Sequence, residues 1–224
     1  MLIDLHIHTT RYSGCSSIEP SELIKRAKDL CLQGVALTEH GILWPEHLIS
    51  ALGNEAGKGL RVFAGQEVAC FSQEGRSQGE FLVFGVDRSL GSTRSAEDLI
   101  EIVHTMGGVV IAAHPYKPSR TRVGYYGLGD ACTNLGLDAV ELGHPDHEEG
   151  SMIYGARLLA SKNIPATGGS DAHTLSAVGS YITECSGDLG TERDLVEAIR
   201  LGKVRPLKRK GSMYMPLYNQ YVSL

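Results

Sequence analysis

This chain of 224 residues carries nine histidines, and several fall where an apolar run stops. His6 and His8 end MLIDLHIH, His40 ends GVALTEH, His114 ends VVIAAHP, and His173 ends IPATGGSDAH. Glu67 (RVFAGQEVAC), Glu141 (DAVELGHP) and Asp171 close similar runs. Imidazole with carboxylate suits divalent transition metals, and clustered carboxylates let more than one ion sit together. A lone His at a strand end is more often a hydrogen-bonded core residue than a ligand. His-Xaa-His says more, because residues i and i+2 of a strand share a face and both rings can reach one ion. Asp171-Ala172-His173 repeats that spacing. Taken together these positions read as a metal centre.

To bring them together the chain must place many strand ends at one point. Runs of Val, Ile, Leu and Ala read as strands buried on both faces, whose carboxyl ends open onto solvent in an α/β fold. Strands are expected at 35–40, 61–70, 80–87, 109–114, 138–142 and 164–170, after the first at the amino terminus. Helices are expected between them: one capped by Ser16 or Ser17 with Pro20 in its first turn, one from Trp44-Pro45-Glu46 to Gly57, one opening at Ser95, one from Glu148 to Lys162, and a last at 191–202. A short extended segment is expected around Tyr181. Such βα units imply a mostly parallel sheet with helices outside. An open sheet would spread the ligands along a line, so the sheet must curl into a barrel. Residues 115–136, rich in Pro, Tyr, Gly and Arg, follow His114 directly and read as a cover over the site.

The motifs DLHIHT at 4–9, TEH at 38–40, the Glu of GQE, AAHP at 112–115, the Glu of VEL and GSDAH at 169–173 resemble, in order and spacing, the PHP (polymerase and histidinol phosphatase) family of metal-dependent phosphoesterases. The resemblance spans roughly residues 1–205. It implies a distorted seven-stranded (β/α)7 barrel and two to three divalent ions, Mn, Fe or Zn. His6, His8 and Asp171 would hold the first metal, and Glu67 would bridge to a second held also by His114 and Glu141. A third would take His40 and His173. Relatives complete that third site with an Asp or His shortly after His-Xaa-His, where this chain reads Arg11-Tyr12-Ser13-Gly14-Cys15. Cys15, Glu39, water or substrate phosphate would have to fill the gap. His144 stands where relatives often carry Asn, and is a candidate proton donor, supporting residue or extra ligand.

The expected reaction is hydrolysis of a small-molecule phosphomonoester by a metal-activated water, since dications lower the pKa of water and stabilise the leaving alkoxide. Asp171, His173 and His144 are the catalytic candidates, with either His placed to protonate the leaving group. Arg11, Arg120 and Arg122 are the candidate phosphate contacts. Ser13 and Ser170 lie near the motifs without a triad arrangement. His47 and His104 fall within helices away from strand ends and read as structural or surface residues, while His147, beside Asp146 and Glu148, reads as facing solvent or rimming the site. The alternatives are a nuclease or phosphodiesterase acting on nucleotides or short oligonucleotides, with Tyr125 and Tyr126 available for stacking, and a non-catalytic metal-bound module. Hydrolysis of carbon–nitrogen bonds is a further alternative, although no metal-bridging Lys can be placed.

Composition sets the outer bounds. The chain is 42% hydrophobic with 27 glycines, enough for one domain over 1–224 with a single sizeable core. Net charge is −5, which gives no general affinity for nucleic acid. No apolar run is long enough to span a membrane, and the first residues enter a strand rather than a signal peptide. Five cysteines without a CxxC pair argue for reduced thiols and a cytoplasmic setting. The segment 203–224, basic and then aromatic, is expected to be a terminal tail packed on the barrel, and nothing in the sequence sets the oligomeric state.

Overall fold

The computed structural model describes residues 1–92, 94–119, 123–187 and 189–217. In chain order the elements are β1 (Leu2–Ile7), α1 (Pro20–Asp29), β2 (Gly34–His40), α2 (Glu46–Ala56), β3 (Arg61–Phe71), β4 (Ser77–Phe84), α3 (Ala96–Thr105), β5 (Val109–Ala113), β6 (Ala139–Gly143), α4 (Glu149–Lys162), β7 (Ala166–Gly168), β8 (Tyr181–Cys185), α5 (Glu192–Arg200), β9 (Val204–Lys210) and β10 (Met213–Pro216). A 3-10 turn, Gly129–Asn134, lies between β5 and β6.

Among the described residues all the strands, ten in number, join one mixed sheet in the order β10-β9-β8-β1-β2-β3-β4-β5-β6-β7. β1, β2 and β3 are parallel neighbours, as are β5, β6 and β7. β4 lies antiparallel between the two groups, so β3 and β5 point the same way. The sheet curls until the segment after β7 meets β1. There Ile7 and Ala172 form a parallel bridge, with His8 N donating to Ala172 O at 3.0 Å and Ala172 N to His6 O at 3.3 Å. This curl brings the strand ends together.

The result is not the expected seven-stranded (β/α)7 barrel, because the sheet has ten strands and breaks the βα alternation. β3 runs into β4 through a tight polar turn around Ser72–Arg76 with no helix between them. The basic tail is also a different object: β9 and β10 form a hairpin closed over Gly211 and Ser212, with Met213 opposite Lys210, and β9 pairs with β8. One helix-level expectation shifts as well. Glu19 caps α1 without a side-chain bond, while Ser16 and Ser17 turn their hydroxyls to backbone carbonyls of His8 and His173. Ser95 does cap α3, accepting from Asp98 N at 3.1 Å.

Side-chain alternation divides the core. Val109, Ile111 and Ala113 of β5 point inward with Ile3, Leu5, Leu82 and Phe84, closed from below by Leu195, Ala198 and Ile199 of α5. Val110 and Ala112 point outward against α3 and α4. A third cluster packs α1 and α2 on β1 and β2. Each fully buried Leu, Ile or Phe contributes roughly 1.5–3 kcal/mol relative to exposure, and this rigid barrel wall fixes the strand ends above it. Among the described residues no helix is long and apolar enough to cross a membrane.

Candidate metal centre

The side chains singled out by spacing meet at the carboxyl ends of the parallel strands. His6 and His8 come from the end of β1, His40 from the last residue of β2, and Glu67 from β3, directly opposite His40 in register. His114 follows β5, Glu141 sits in β6, and Asp171 and His173 follow β7. His114 and Asp171 both take left-handed backbone, with φ of 28° and 47°. Non-glycine residues rarely do so, and here it turns the chain sharply at the top of two strands and aims both side chains into the site.

Hydrogen bonds fix the ring tautomers. His6 Nδ1 lies 3.1 and 3.2 Å from the two oxygens of Glu141, so it carries the proton and Nε2 keeps its lone pair. His8 Nδ1 approaches Ser13 Oγ at 3.3 Å. That hydroxyl is committed as a donor to Glu39, so it accepts from His8, and His8 Nε2 is also a lone pair. His173 Nδ1 donates to Asp171 O at 2.9 Å, leaving a third Nε2 as acceptor. The Nε2 atoms of His6 and His8 then face each other at 3.2 Å, with Asp171 Oδ1 at 3.4 Å from both and Glu67 oxygens at 3.3 and 3.4 Å. Lone pairs and carboxylate oxygens so close repel unless a positive charge, a metal ion or in its absence a second proton on His6, sits among them, and a ligating His typically donates its other N–H just as these do. The residues present therefore fit a divalent metal.

Groups of donor atoms within 4.8 Å of one another are His6–His8–Asp171, His6–Glu67–His114, His8–His40–His173, His114–His144–Asp171 and His40–Glu67–Glu80. His114 Nε2 is 3.0 Å from Glu67 Oε1 and His40 Nδ1 is 2.9 Å from Glu67 Oε2, so Glu67 touches both sides of the cluster. Burial works against a charged His6, but the carboxylates of Glu141, Glu67 and Asp171 outweigh it and raise its pKa well above the ordinary value. Burial likewise opposes ionised Glu141, yet His6 holds it down at about 2. Asp171 and Glu67 are pulled well below the carboxylate range against the same penalty, both chiefly by His6.

Several expected residues take other places. Glu141 lies behind the His6 ring with its second oxygen also accepting from His114 N at 2.9 Å, so it orients ligands instead of joining a donor group. Glu39 is fully buried and accepts from Thr9, Ser13 and Trp44 Nε1, which removes it from the third-site gap. Cys15 stays beside that gap, its Sγ 3.4 Å from His40 Nε2. Arg11 is exposed and stacks over Tyr12 at 5.6 Å; Arg120 and Arg122 lie outside the described residues. His104 pairs with Asp138 at 2.8 Å on the surface, and His147 is a buried brace between Leu142 O and Tyr116 N.

His144 differs from the ligand-type rings. Its Nδ1 accepts from Asp146 N at 3.1 Å, so Nε2 carries the proton and is a donor. Burial keeps the ring neutral, with its pKa down at about 4. Two acidic or basic neighbours were not anticipated. Glu80 enters from β4 opposite Ala113 of β5, a place only the antiparallel register could reveal. Lys117 closes a turn on His114 O and sets its Nζ 2.9 Å from Asp171 Oδ2 and 3.3 Å from Asp146 Oδ2; no sequence spacing marks it.

Comparison with known proteins gives the family of the chain. The family model described as PHP domain matches residues 4–127, and a second, described as PHP-associated, matches 155–204. The uncharacterized protein MJ1587 of Methanocaldococcus jannaschii is 31% identical over 175 residues, 74% of this chain and 94% of that one. A protein from Bifidobacterium adolescentis, proposed to be a metal-dependent phosphoesterase, shares the fold with a TM-score of 0.66 at 20% identity, covering 89% of this chain and 96% of its own. An amidohydrolase from Chromobacterium violaceum, solved with sulfate and no metal, gives 0.61 at 17% identity over 90% and 96%. The domain model spans more than half of the chain, and this chain belongs to the PHP-domain family.

Proposed function

We propose that this protein is a metal-dependent phosphoesterase that hydrolyses the phosphomonoester of a small molecule. The observation that carries the reading is the convergence of the His6 and His8 Nε2 lone pairs, 3.2 Å apart, on the oxygens of Glu67 and Asp171. In this reading His6, His8, Glu67 and Asp171 hold one divalent ion and His114 shares Glu67 with another, while His40 and His173 flank an outer position with Cys15 beside it. Bound there, Mn, Fe or Zn would lower the pKa of water and neutralise phosphate oxygens, the chemistry that ester hydrolysis needs.

The chain's own residues supply the rest. Glu141, Ser13 and the Asp171 carbonyl hold three rings in the ligand tautomer. His144, neutral with Nε2 protonated, is placed to hydrogen-bond an oxygen of the substrate or of the leaving group. Cysteines that are all free suit a cytoplasmic setting.

A nucleotide substrate is the second reading, favoured by two tyrosines that follow β5. Tyr126 stands 6.3 Å from His114 between ring centroids, and Tyr125 and Tyr126 are 38% and 41% exposed, able to stack a base. Purified protein of known metal content, assayed on p-nitrophenyl phosphate and bis-p-nitrophenyl phosphate with and without manganese and then on sugar phosphates, nucleotides and short oligonucleotides, separates the readings. Metal-dependent turnover of monoesters alone upholds the first. Cleavage of diesters or oligonucleotides promotes the second, and no turnover with metal bound overturns both.

A further inference from the structure

Asp171 presents two different faces. Its Oδ1 looks toward the ligand nitrogens of His6 and His8, 3.4 Å from each. Its Oδ2 looks the other way, toward Lys117 Nζ at 2.9 Å and His144 Nε2 at 3.4 Å. Both groups on this second face are donors, since His144 carries its proton on Nε2 and an ammonium has nothing but donors. The His144 approach is not aligned as a hydrogen bond. Its Nε2 is buried and has no hydrogen-bond partner among the described residues, and a buried donor left unmatched calls for an acceptor. Of the described lysines and arginines, Lys117 alone forms an ion pair with a carboxylate of the cluster. The turn from His114 O to Lys117 N at 3.0 Å pins its backbone next to the site, and Asp146 steadies the side chain from outside.

We propose that Lys117 Nζ and His144 Nε2–H form an oxyanion seat beside the metal centre, which takes terminal oxygens of a phosphate dianion and thereby selects phosphomonoesters over diesters. This rests on the phosphoesterase reading and deepens it. A monoester phosphate has three terminal oxygens, so with one facing the metals two remain for the seat, whereas a diester has only two and leaves one. An ammonium and an imidazole N–H side by side match the former and leave the diester with an unpaired donor. At His144 the substrate oxygen displaces only an unaligned 3.4 Å approach, and at Lys117 it shares the ammonium with Asp171 Oδ2 or replaces that 2.9 Å hydrogen bond, while Oδ1 stays with the ligand side. The seat supplies a cation in addition to those expected from Arg11, Arg120 and Arg122.

The test uses metal-loaded wild type, Lys117→Met and Lys117→Arg. Each is measured for metal content, for inorganic phosphate affinity by calorimetry, and for kcat/KM on p-nitrophenyl phosphate and bis-p-nitrophenyl phosphate. Lys117→Met is expected to keep its metal, to lose tenfold or more in phosphate affinity, and to lose at least tenfold more on the monoester than on the diester, with Lys117→Arg recovering part of both. Equal losses on the two esters, or a fall in metal content that accounts for the loss, would overturn the seat and leave Lys117 as a brace for Asp171. Should wild type turn over neither ester, the phosphoesterase reading fails and the phosphate titration decides alone: weaker binding in Lys117→Met upholds the seat, and unchanged binding, or none in wild type, overturns it.

Discussion

Both carboxylate oxygens of Glu141 rest against His6 Nδ1, at 3.1 and 3.2 Å, and the opposite edge of the same ring meets His8 Nε2 at 3.2 Å. The carboxylate thereby sets which nitrogen of His6 is available to a cation and makes that nitrogen a stronger donor. Replacing it with an amide removes the charge and forces a choice between serving His6 Nδ1 and His114 N, which Oε2 now also accepts from. Glu141→Gln is expected to fold normally and to weaken metal binding by about 10–100-fold, the usual effect of losing such a partner. Metal titration of the purified variant checks this, and activity should return as metal is raised. Unchanged affinity would mean that Glu141 has no hold on the ligand set.

The positions of the metal-centre side chains were legible in the sequence because each ends a run that can only be a buried strand, and strand ends on one side of a curled sheet must converge. The roles within the cluster were less legible. Whether Glu141 or Glu39 faces the centre depends on which neighbouring N–H and O–H groups claim the carboxylate, and those come from residues such as Thr9 and Trp44 with no motif character. Lys117 was hidden for the same reason: a turn three residues past His114 folds it back. The hairpin of β9 and β10 had a signal in Gly211-Ser212 between two alternating segments, masked by the basic run around Lys208. The barrel expectation failed at β4, where a polar turn replaces a crossover helix.

Substitutions divide along the line between the cluster and the surface. His8→Ala and Asp171→Ala each remove a donor from a group whose members lie within 4.8 Å, and both are expected to abolish activity and lower metal content. His104→Ala breaks only a pair between a half-exposed ring and Asp138, which keeps its bond from Val110 N, and should leave activity and metal content near wild type. Metal analysis alongside turnover is the check, and an active, metal-depleted His8→Ala protein would contradict the proposed mechanism.

Protons compete with metal at His40. Hydrogen bonding to Glu67 raises its pKa, against the opposing effect of burial, from an ordinary 6.5 to about 9. A folded-state pKa above the unfolded one means that the pairing stabilises the metal-free protein fully below about pH 6.5, and that this stabilisation is lost as pH rises through about 9. A cation bound at the ring must displace that proton, so apparent metal affinity should climb over the same interval by up to about tenfold per pH unit. Metal titrations at stepped pH measure the slope, and His40→Asn should flatten it. An equally steep slope in the variant would assign the proton elsewhere.

Gly169 shows how closely the backbone approaches the centre. A Cβ placed on it would lie 2.3 Å from Glu141 Oε1 and 2.5 Å from His6 Cβ, well inside any real contact. Neither group can retreat: Glu141 is held by His6 and His114, and His6 belongs to a strand bonded on both sides. Gly169→Ala must therefore push apart the pair that sets the His6 tautomer, or shift the segment that carries Asp171 and His173. Overpacking of this kind typically costs about 1–3 kcal/mol, so the variant should melt earlier, and its metal affinity should fall by more than that of a neutral surface change such as His104→Ala. Thermal unfolding with and without metal separates the two effects, because a variant that merely packs poorly keeps the metal-induced rise in Tm, whereas loss of the His6–Glu141 geometry removes it.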